Sequence, residues 1–90
     1  MNKNEFLVKQ ELEKDGWKVL RNGAPDFVAL KLDNDGNILE VRGIEVKYNN
    51  DKLTYEQQVY KKIFEWAKVP FEVKMIQKED IIAEKYRNNT

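Results

Sequence analysis

The stretch from Pro25 to Lys47 decides the fold, and it reads PDFVALKLDNDGNILEVRGIEVK. Two apolar-rich runs flank a cluster of turn residues, a pattern that predicts a β-hairpin. Asp35-Gly36 is a favoured pair for a two-residue type I′ loop, which would make the numbers of facing residues add up to 71, as 35 and 36 do. Lys31 then faces Glu40, and this opposite-charge pair supports the register.

The same register brings two carboxylates together on one face of the hairpin. Asp26 faces Glu45, and directly opposite residues have Cβ atoms about 4.5–5.5 Å apart. Facing like charges repel each other, and a divalent cation with hard oxygen ligands would offset the repulsion. Lys47 follows two residues later on the same face. The register therefore predicts a phosphodiester-hydrolysing site from fragments that are ordinary turn and surface-strand sequences when taken separately.

Both faces of the hairpin are apolar over part of their length, which predicts a sheet with helices packed on it. Gly43 lies on the carboxylate face beside Glu45, and its missing side chain is expected to leave room for a ligand.

Composition bounds the kinds of function. Ninety residues predict one small domain, 1–90, of modest stability that a homodimer would support. Sixteen basic residues balance sixteen acidic ones, which counts against a general nucleic-acid coat. The chain has neither cysteine nor histidine, so oxygen ligands must hold any metal. No apolar run approaches 18 residues and no signal-peptide pattern opens the chain, so we expect a soluble cytoplasmic protein that does not bind membranes.

Hydrophobic periodicity and turn residues predict the remaining elements. The order is α-β-β-β-α-β-α, and the third strand, second helix and fourth strand form a crossover unit with parallel strands. This predicts an α/β fold in which a mixed four-stranded sheet is flanked by helices. The elements outside the hairpin are helices over residues 3–15, 54–68 and 78–87 and strands over 17–20 and 71–76.

The motif Pro25-Asp26, eighteen residues, then Glu45-Val46-Lys47 resembles that of the PD-(D/E)XK nuclease superfamily, whose fold is restriction-endonuclease-like. The element order is similar to that family's common core over essentially the whole chain. The resemblance implies that Asp26 and Glu45 bind Mg²⁺ or Mn²⁺ together with the backbone carbonyl of Val46. It also implies that Lys47 orients or activates the attacking water.

Two helical residues also match small members of the superfamily. Glu5 stands 11 residues before Gly16, as a first-helix glutamate does in archaeal Holliday-junction resolvases. Gln57 stands ten residues after Lys47, similar to the helical glutamine of VRR-NUC nucleases. The resemblance implies that Glu5 supports the metal directly or through water, and that Gln57 contacts the phosphate or bound water.

Glu5 and Gln57 each also have an interpretation in which they only stabilise a helix. Glu5 would favour the start of the first helix through the helix dipole. Gln57 would complete a capping box with Thr54. Tyr48 and Lys52, in the loop after Lys47, would contact a phosphate or stack on a base, although most loop lysines are only solvated.

The leading hypothesis is a Mg²⁺-dependent endodeoxyribonuclease that works as a homodimer, with branched DNA such as a Holliday junction among its expected substrates. A non-catalytic nuclease-like module that binds nucleic acid or protein is the alternative. A third hypothesis is a small α/β interaction protein in which the hairpin register separates Asp26 from Glu45.

Overall fold

The computed structural model describes residues 1–21 and 23–77. The sheet order is β1-β2-β3-β4, in which the first three strands are antiparallel neighbours and β4 runs parallel to β3. The mixed four-stranded α/β sheet is therefore confirmed, while the predicted helix over 78–87 lies outside the described residues. The elements are α1 (Lys3–Lys14), β1 (Lys18–Arg21), β2 (Phe27–Leu32), β3 (Ile38–Tyr48), α2 (Tyr55–Trp66) and β4 (Phe71–Ile76).

The β2–β3 hairpin has the predicted register over most of its length. Its pairs run from Phe27 opposite Ile44 to Lys31 opposite Glu40, and in both pairs the residue numbers add up to 71. The register shifts after Lys31, where Leu32 faces Ile38. One extra residue on β3 therefore forms a bulge near the turn, and the part of the hairpin that leads to the site keeps its alignment.

The turn itself differs from the predicted two-residue type I′ loop. Asp33 N–H donates to the Asn37 carbonyl over 2.9 Å, and Gly36 N–H donates to the Asp33 carbonyl over 3.1 Å. The loop is therefore three residues long, with Gly36 in the left-handed region at φ +84°. This loop is favoured because the Asp33 carboxylate accepts hydrogen bonds from Asp35 N–H and Asn37 N–H, both at 2.9 Å.

Helix α1 covers one face of the sheet and forms the core with it. Asn2 caps its start, and Gly16, at φ +88°, follows its end. Trp17 lies at the margin of this core, with Lys31 Nζ 4.5 Å and Arg42 Cζ 4.9 Å from its ring centroid. The buried apolar side chains are Val8, Leu12, Trp17, Phe27, Ala29 and Ile44.

Helix α2 lies on the opposite face, and an aromatic contact holds it there. The Phe64 ring packs over Gly43 and edge-on against Phe71, with ring centroids 5.5 Å apart. The space above Gly43 is thus filled by Phe64, and the expectation that it would admit a ligand is wrong. None of the residues of α2 is buried, and Trp66 is 85% exposed.

Candidate active site

Asp26 and Glu45 meet where the β2–β3 ladder ends. The last ladder pair is Phe27 with Ile44, and Asp26 directly precedes β2. Val46 N–H donates to Asp26 Oδ2 over 2.8 Å, and Asp26 N–H donates to Glu45 Oε2 over 3.2 Å. Each of these two acids is therefore held by a backbone N–H from the segment that carries the other.

Gln57 connects α2 to this pair and also caps the helix, while its predicted contact with the phosphate or bound water stays a prediction. Thr54 N–H donates to Gln57 Oε1 over 2.9 Å, and Gln57 N–H donates to Thr54 Oγ1 over 3.2 Å, which completes a capping box. At the other end of the amide, Gln57 Nε2 donates to Glu45 Oε1 over 2.7 Å. A backbone N–H can only donate, so the cap fixes which end of the amide faces Glu45.

Glu45 is only 2% exposed, and its surroundings favour the protonated form. The pKa of the Glu45 carboxyl is raised from 4.5 to about 7, and burial is the largest cause. The negative charge of the neighbouring Asp26 and a hydrogen bond between the two carboxyl groups contribute to the same rise. The N–H of Asp26 and the positive charge of Lys47 act in the opposite direction.

Lys47 follows Glu45 by two residues on β3, so both side chains lie on the same face of the sheet. It is half-buried, and its charge is felt at Glu45. Within residues 1–21 and 23–77, Lys47 forms no ion pair shorter than 4 Å. Its ammonium group is therefore not neutralised by a nearby described carboxylate.

The loop after β3 is held against the end of β4. Asn49 and Asn50 both adopt positive φ, at 54° and 69°. Asn49 N–H donates to the Ile76 carbonyl over 2.8 Å, and Asn50 N–H donates to Met75 Sδ over 3.2 Å. Alternation and turn residues in the sequence predict a loop here but not its attachment to β4, because a backbone bond to a distant strand has no local signal.

Tyr48 and Lys52 flank this loop. Tyr48 is the last residue of β3 and is half-buried, and Lys52 is exposed in the loop before α2. Both are close in sequence to Lys47, but no described hydrogen bond or ion pair joins either side chain to Asp26 or Glu45.

Glu5 is held in a capping box at the start of α1. Its N–H donates to Asn2 Oδ1 over 2.8 Å, and its Oε2 accepts from Asn2 N–H over 3.2 Å. No described hydrogen bond links Glu5 to Asp26 or Glu45. In the described part of the chain, no three Asp or Glu side chains converge as a ready-made metal cluster. Two carboxylates are therefore the side-chain acids that this site brings together.

One comparison with known proteins identifies the family of this chain. The sequence profile of the VRR-NUC domain matches residues 3–75, which is most of the chain. The chain belongs to the VRR-NUC domain family. It is therefore a nuclease domain, and the predicted nuclease superfamily is confirmed. No curated protein and no solved structure matches the chain.

The VRR-NUC match includes every residue that the sequence singled out for the site, from Glu5 to Gln57. It also includes both described helices and all of the sheet except Ile76.

Neither α1 nor α2 is long and apolar enough to cross a membrane, and no other helix occurs among the described residues. Among the residues predicted for the site, the structure brings Asp26 and Gln57 into contact with Glu45. Lys47 lies on the same face of β3 as Glu45.

Proposed function

We propose that this VRR-NUC domain is a Mg²⁺- or Mn²⁺-dependent endodeoxyribonuclease that hydrolyses phosphodiester bonds at the Asp26–Glu45 pair. The observation that carries the proposal is this pair, in which Glu45 is 2% exposed and lies beside a second acid. Two adjacent carboxylates, one of them buried and the other half-buried, are unfavourable unless something positive lies between them. A divalent cation with oxygen ligands meets that requirement.

The donor set fits a hard cation. Asp26 Oδ2 and both oxygens of Glu45 accept hydrogen bonds from backbone N–H groups or from the Gln57 amide. A carboxylate also offers more lone pairs than these bonds use. The N–H and C=O of a strand residue point to the same neighbouring strand, so the Val46 carbonyl faces the Asp26 side, past the end of the ladder. Asp26, Glu45 and this carbonyl would hold the ion.

When bound, Mg²⁺ or Mn²⁺ lowers the pKa of a coordinated water and neutralises charge on the scissile phosphate. The chain's own groups prepare the site for that chemistry. Gln57 fixes the rotamer of Glu45, and the capping box fixes Gln57 in turn. Lys47 places an ammonium group on the same face, where it would orient the attacking water and stabilise the developing phosphate charge.

In this proposal Lys47 and Gln57 also contact the DNA. Tyr48 and Lys52 would extend that contact along the adjoining loop. A lysine recognises a phosphate as a point charge, and a tyrosine ring stacks on an unpaired base. Lys47 and Lys52 are the two cations in this proposed contact, so few phosphates would be neutralised and binding should depend only weakly on salt.

We place a second copy of the chain on the exposed side of α2. Tyr55 is 80% exposed, Ile63 is 49% exposed and Trp66 is 85% exposed, and large apolar side chains of this kind are enriched at protein interfaces. A homodimer would carry two sites, as cleavage of both strands of a branched DNA requires. Sedimentation of the wild type against Trp66→Ser tests this step, because a dimer through α2 should dissociate in the variant.

The cleavage test uses supercoiled plasmid and a four-way junction with Mg²⁺ or Mn²⁺. The wild type should cut in the presence of metal, and Asp26→Asn, Glu45→Gln and Lys47→Ala should each lose cutting. Glu40→Gln is the matched control, because Glu40 is an exposed carboxylate in the same hairpin, outside the site. The proposal would be refuted if the wild type did not cut DNA, or if these three variants cut DNA as well as the wild type does.

A metal titration separates cation binding from cleavage. Mn²⁺ should raise the melting temperature of the wild type because it binds the folded state, and Glu45→Gln should lose that increase. The neutral charge favours one rival, a non-catalytic nucleic-acid or protein binding module. That rival predicts DNA binding, or none, with no metal-dependent cleavage in the same experiments.

A further inference from the structure

Two contacts, one polar and one aromatic, join α2 to the face of β3. Gln57 bonds to Glu45, and the Phe64 ring packs over Gly43. Gly43 and Glu45 are two residues apart on one face of a strand, and Gln57 and Phe64 are seven residues, or two turns, apart on one side of a helix. The aromatic contact therefore helps to set the height of α2 above the strand at the polar contact.

We propose that Gly43 is a positioning residue for the site: its missing side chain lets α2 approach β3 closely enough for Gln57 to hold Glu45. This inference rests on the proposed function only for its effect on cleavage. The effect on the Gln57–Glu45 bond follows from packing alone.

The contact above Gly43 leaves no space for a methyl group. A Cβ atom at this position would lie 2.5 Å from Phe64 Cε2, 2.9 Å from Cδ2 and 3.1 Å from Cζ. Ordinary carbon contacts are about 3.5–4.0 Å, so the ring would have to retreat by about 1 Å. Phe71 packs against the same ring and restricts its escape sideways. The Phe64 ring would therefore retreat by moving α2 away from β3.

Helix α2 is able to take up this displacement because it has no buried residue to anchor it. The Gln57 Nε2–Glu45 Oε1 distance is 2.7 Å, and a retreat of about 1 Å would lengthen it beyond hydrogen-bonding range. Groups that hold a metal ligand in place typically matter about ten- to a hundred-fold in metal affinity or activity. Gly43→Ala should therefore weaken cleavage through Gln57.

The experiment compares Gly43→Ala with Gly23→Ala, where the added Cβ would meet nothing within 4 Å. The first readout is the side-chain amide resonance of Gln57 in metal-free protein. It should move toward the free-amide position in Gly43→Ala and stay in place in Gly23→Ala. Trimming the ring in Gly43→Ala/Phe64→Leu should restore it. Phe64→Trp, which enlarges the ring from the helix side, should shift the resonance without any change in β3.

The second readout is a double-mutant cycle on cleavage rate. Gly43→Ala should lower the cleavage rate about ten-fold in the wild-type background. It should have little further effect in the Gln57→Ala background, because the Gln57–Glu45 bond is already absent there. The inference would be overturned if Gly43→Ala and Gln57→Ala lowered the cleavage rate additively. It would also be overturned if the Gln57 resonance stayed in place in both Gly43→Ala and Phe64→Trp. If the wild type does not cut DNA, the proposed function fails, while the resonance still decides the positioning role.

Discussion

Gln57 Nε2 donates to Glu45 Oε1 over 2.7 Å, and this bond joins the start of α2 to the buried carboxyl group of the site. The same side chain caps the helix through its oxygen, which accepts from Thr54 N–H. One amide therefore serves folding and the site at once. The two contributions can be separated because Thr54 takes part only in the cap.

Thr54→Ala and Gln57→Ala should separate the cap from the site. Thr54→Ala removes the hydroxyl that accepts from Gln57 N–H and should cost about 1 kcal/mol of stability. It keeps the Thr54 N–H that orients the amide, so cleavage should stay near the wild-type rate. Gln57→Ala should lose stability and also slow cleavage by about ten-fold or more, since Glu45 loses its fixed partner.

Urea unfolding and cleavage rates measured on the same preparations check this prediction. Equal loss of cleavage in the two variants would mean that Gln57 matters only as a cap.

The raised pKa of Glu45 predicts how stability depends on pH. The native state keeps a proton that the unfolded chain releases between about pH 4.5 and pH 7. Stability of the metal-free protein should therefore fall as pH rises across this window, by up to roughly 3 kcal/mol, and level off above it. Mn²⁺ binding should strengthen over the same window, because the cation and the proton compete for Glu45.

Asp26→Asn tests the causes of that pKa. Removing the neighbouring charge should lower the pKa of Glu45 from about 7, but not to 4.5, because burial is the larger cause. A carbon-13 titration of the Glu45 carboxyl group in both proteins measures this. A pKa near 4.5 in Asp26→Asn would show that the neighbouring charge, and not burial, controls the site.

Glu5 is occupied in the capping box of α1, and its predicted support of the metal stays a prediction. Glu5→Gln keeps an oxygen that can accept from Asn2 N–H while it removes the charge. If Glu5 supports the cation through water, this variant should retain stability and bind Mn²⁺ about ten-fold more weakly. Glu5→Ala should in addition lose about 1 kcal/mol of stability.

Calorimetric titration of Mn²⁺ against both Glu5 variants provides the measurement. Unchanged affinity in Glu5→Gln would leave Glu5 with the cap alone.

Much of the fold and the central pair could be predicted because the signals are local or nearly so. Alternation within β2 and β3 and the Lys31–Glu40 pair set the register that aligns Asp26 with Glu45. The position of Phe64 over Gly43 could not be predicted, since the space beside a glycine depends on how a distant helix docks. Sequence patterns also do not show that the two ends of the Gln57 amide bond to different partners, Thr54 N–H and the Glu45 carboxyl group, because the second partner lies on a distant strand.

The turn was predicted wrongly for a related reason. Asp35-Gly36 suits a two-residue loop, but the Asp33 side chain stabilises a loop one residue longer. The bulge on β3 then restores the predicted alignment from Lys31 onward. Two departures from the expected pairing therefore cancel before the site, and Asp26 and Glu45 still meet at the end of the hairpin ladder.

Asp33→Ala tests how far the site depends on this turn. Hydrogen bonds, chiefly from Asn37 N–H, hold the pKa of Asp33 below 3.8. The stability they provide is present above the unfolded pKa and is lost as pH falls through the lower folded pKa. Asp33→Ala should therefore melt at a lower temperature than the wild type near pH 7, and the difference should shrink near pH 2.

Asp35→Ala is the matched control for this turn variant, because the described bonds of Asp35 in the loop come from its backbone. Cleavage by folded Asp33→Ala should remain, because the register is also set by the pairs from Phe27 to Lys31. A slip of one residue would instead turn every β3 side chain to the other face and separate Glu45 from Asp26. Loss of cleavage in Asp33→Ala as complete as in Asp26→Asn would show that the turn alone holds the two acids together.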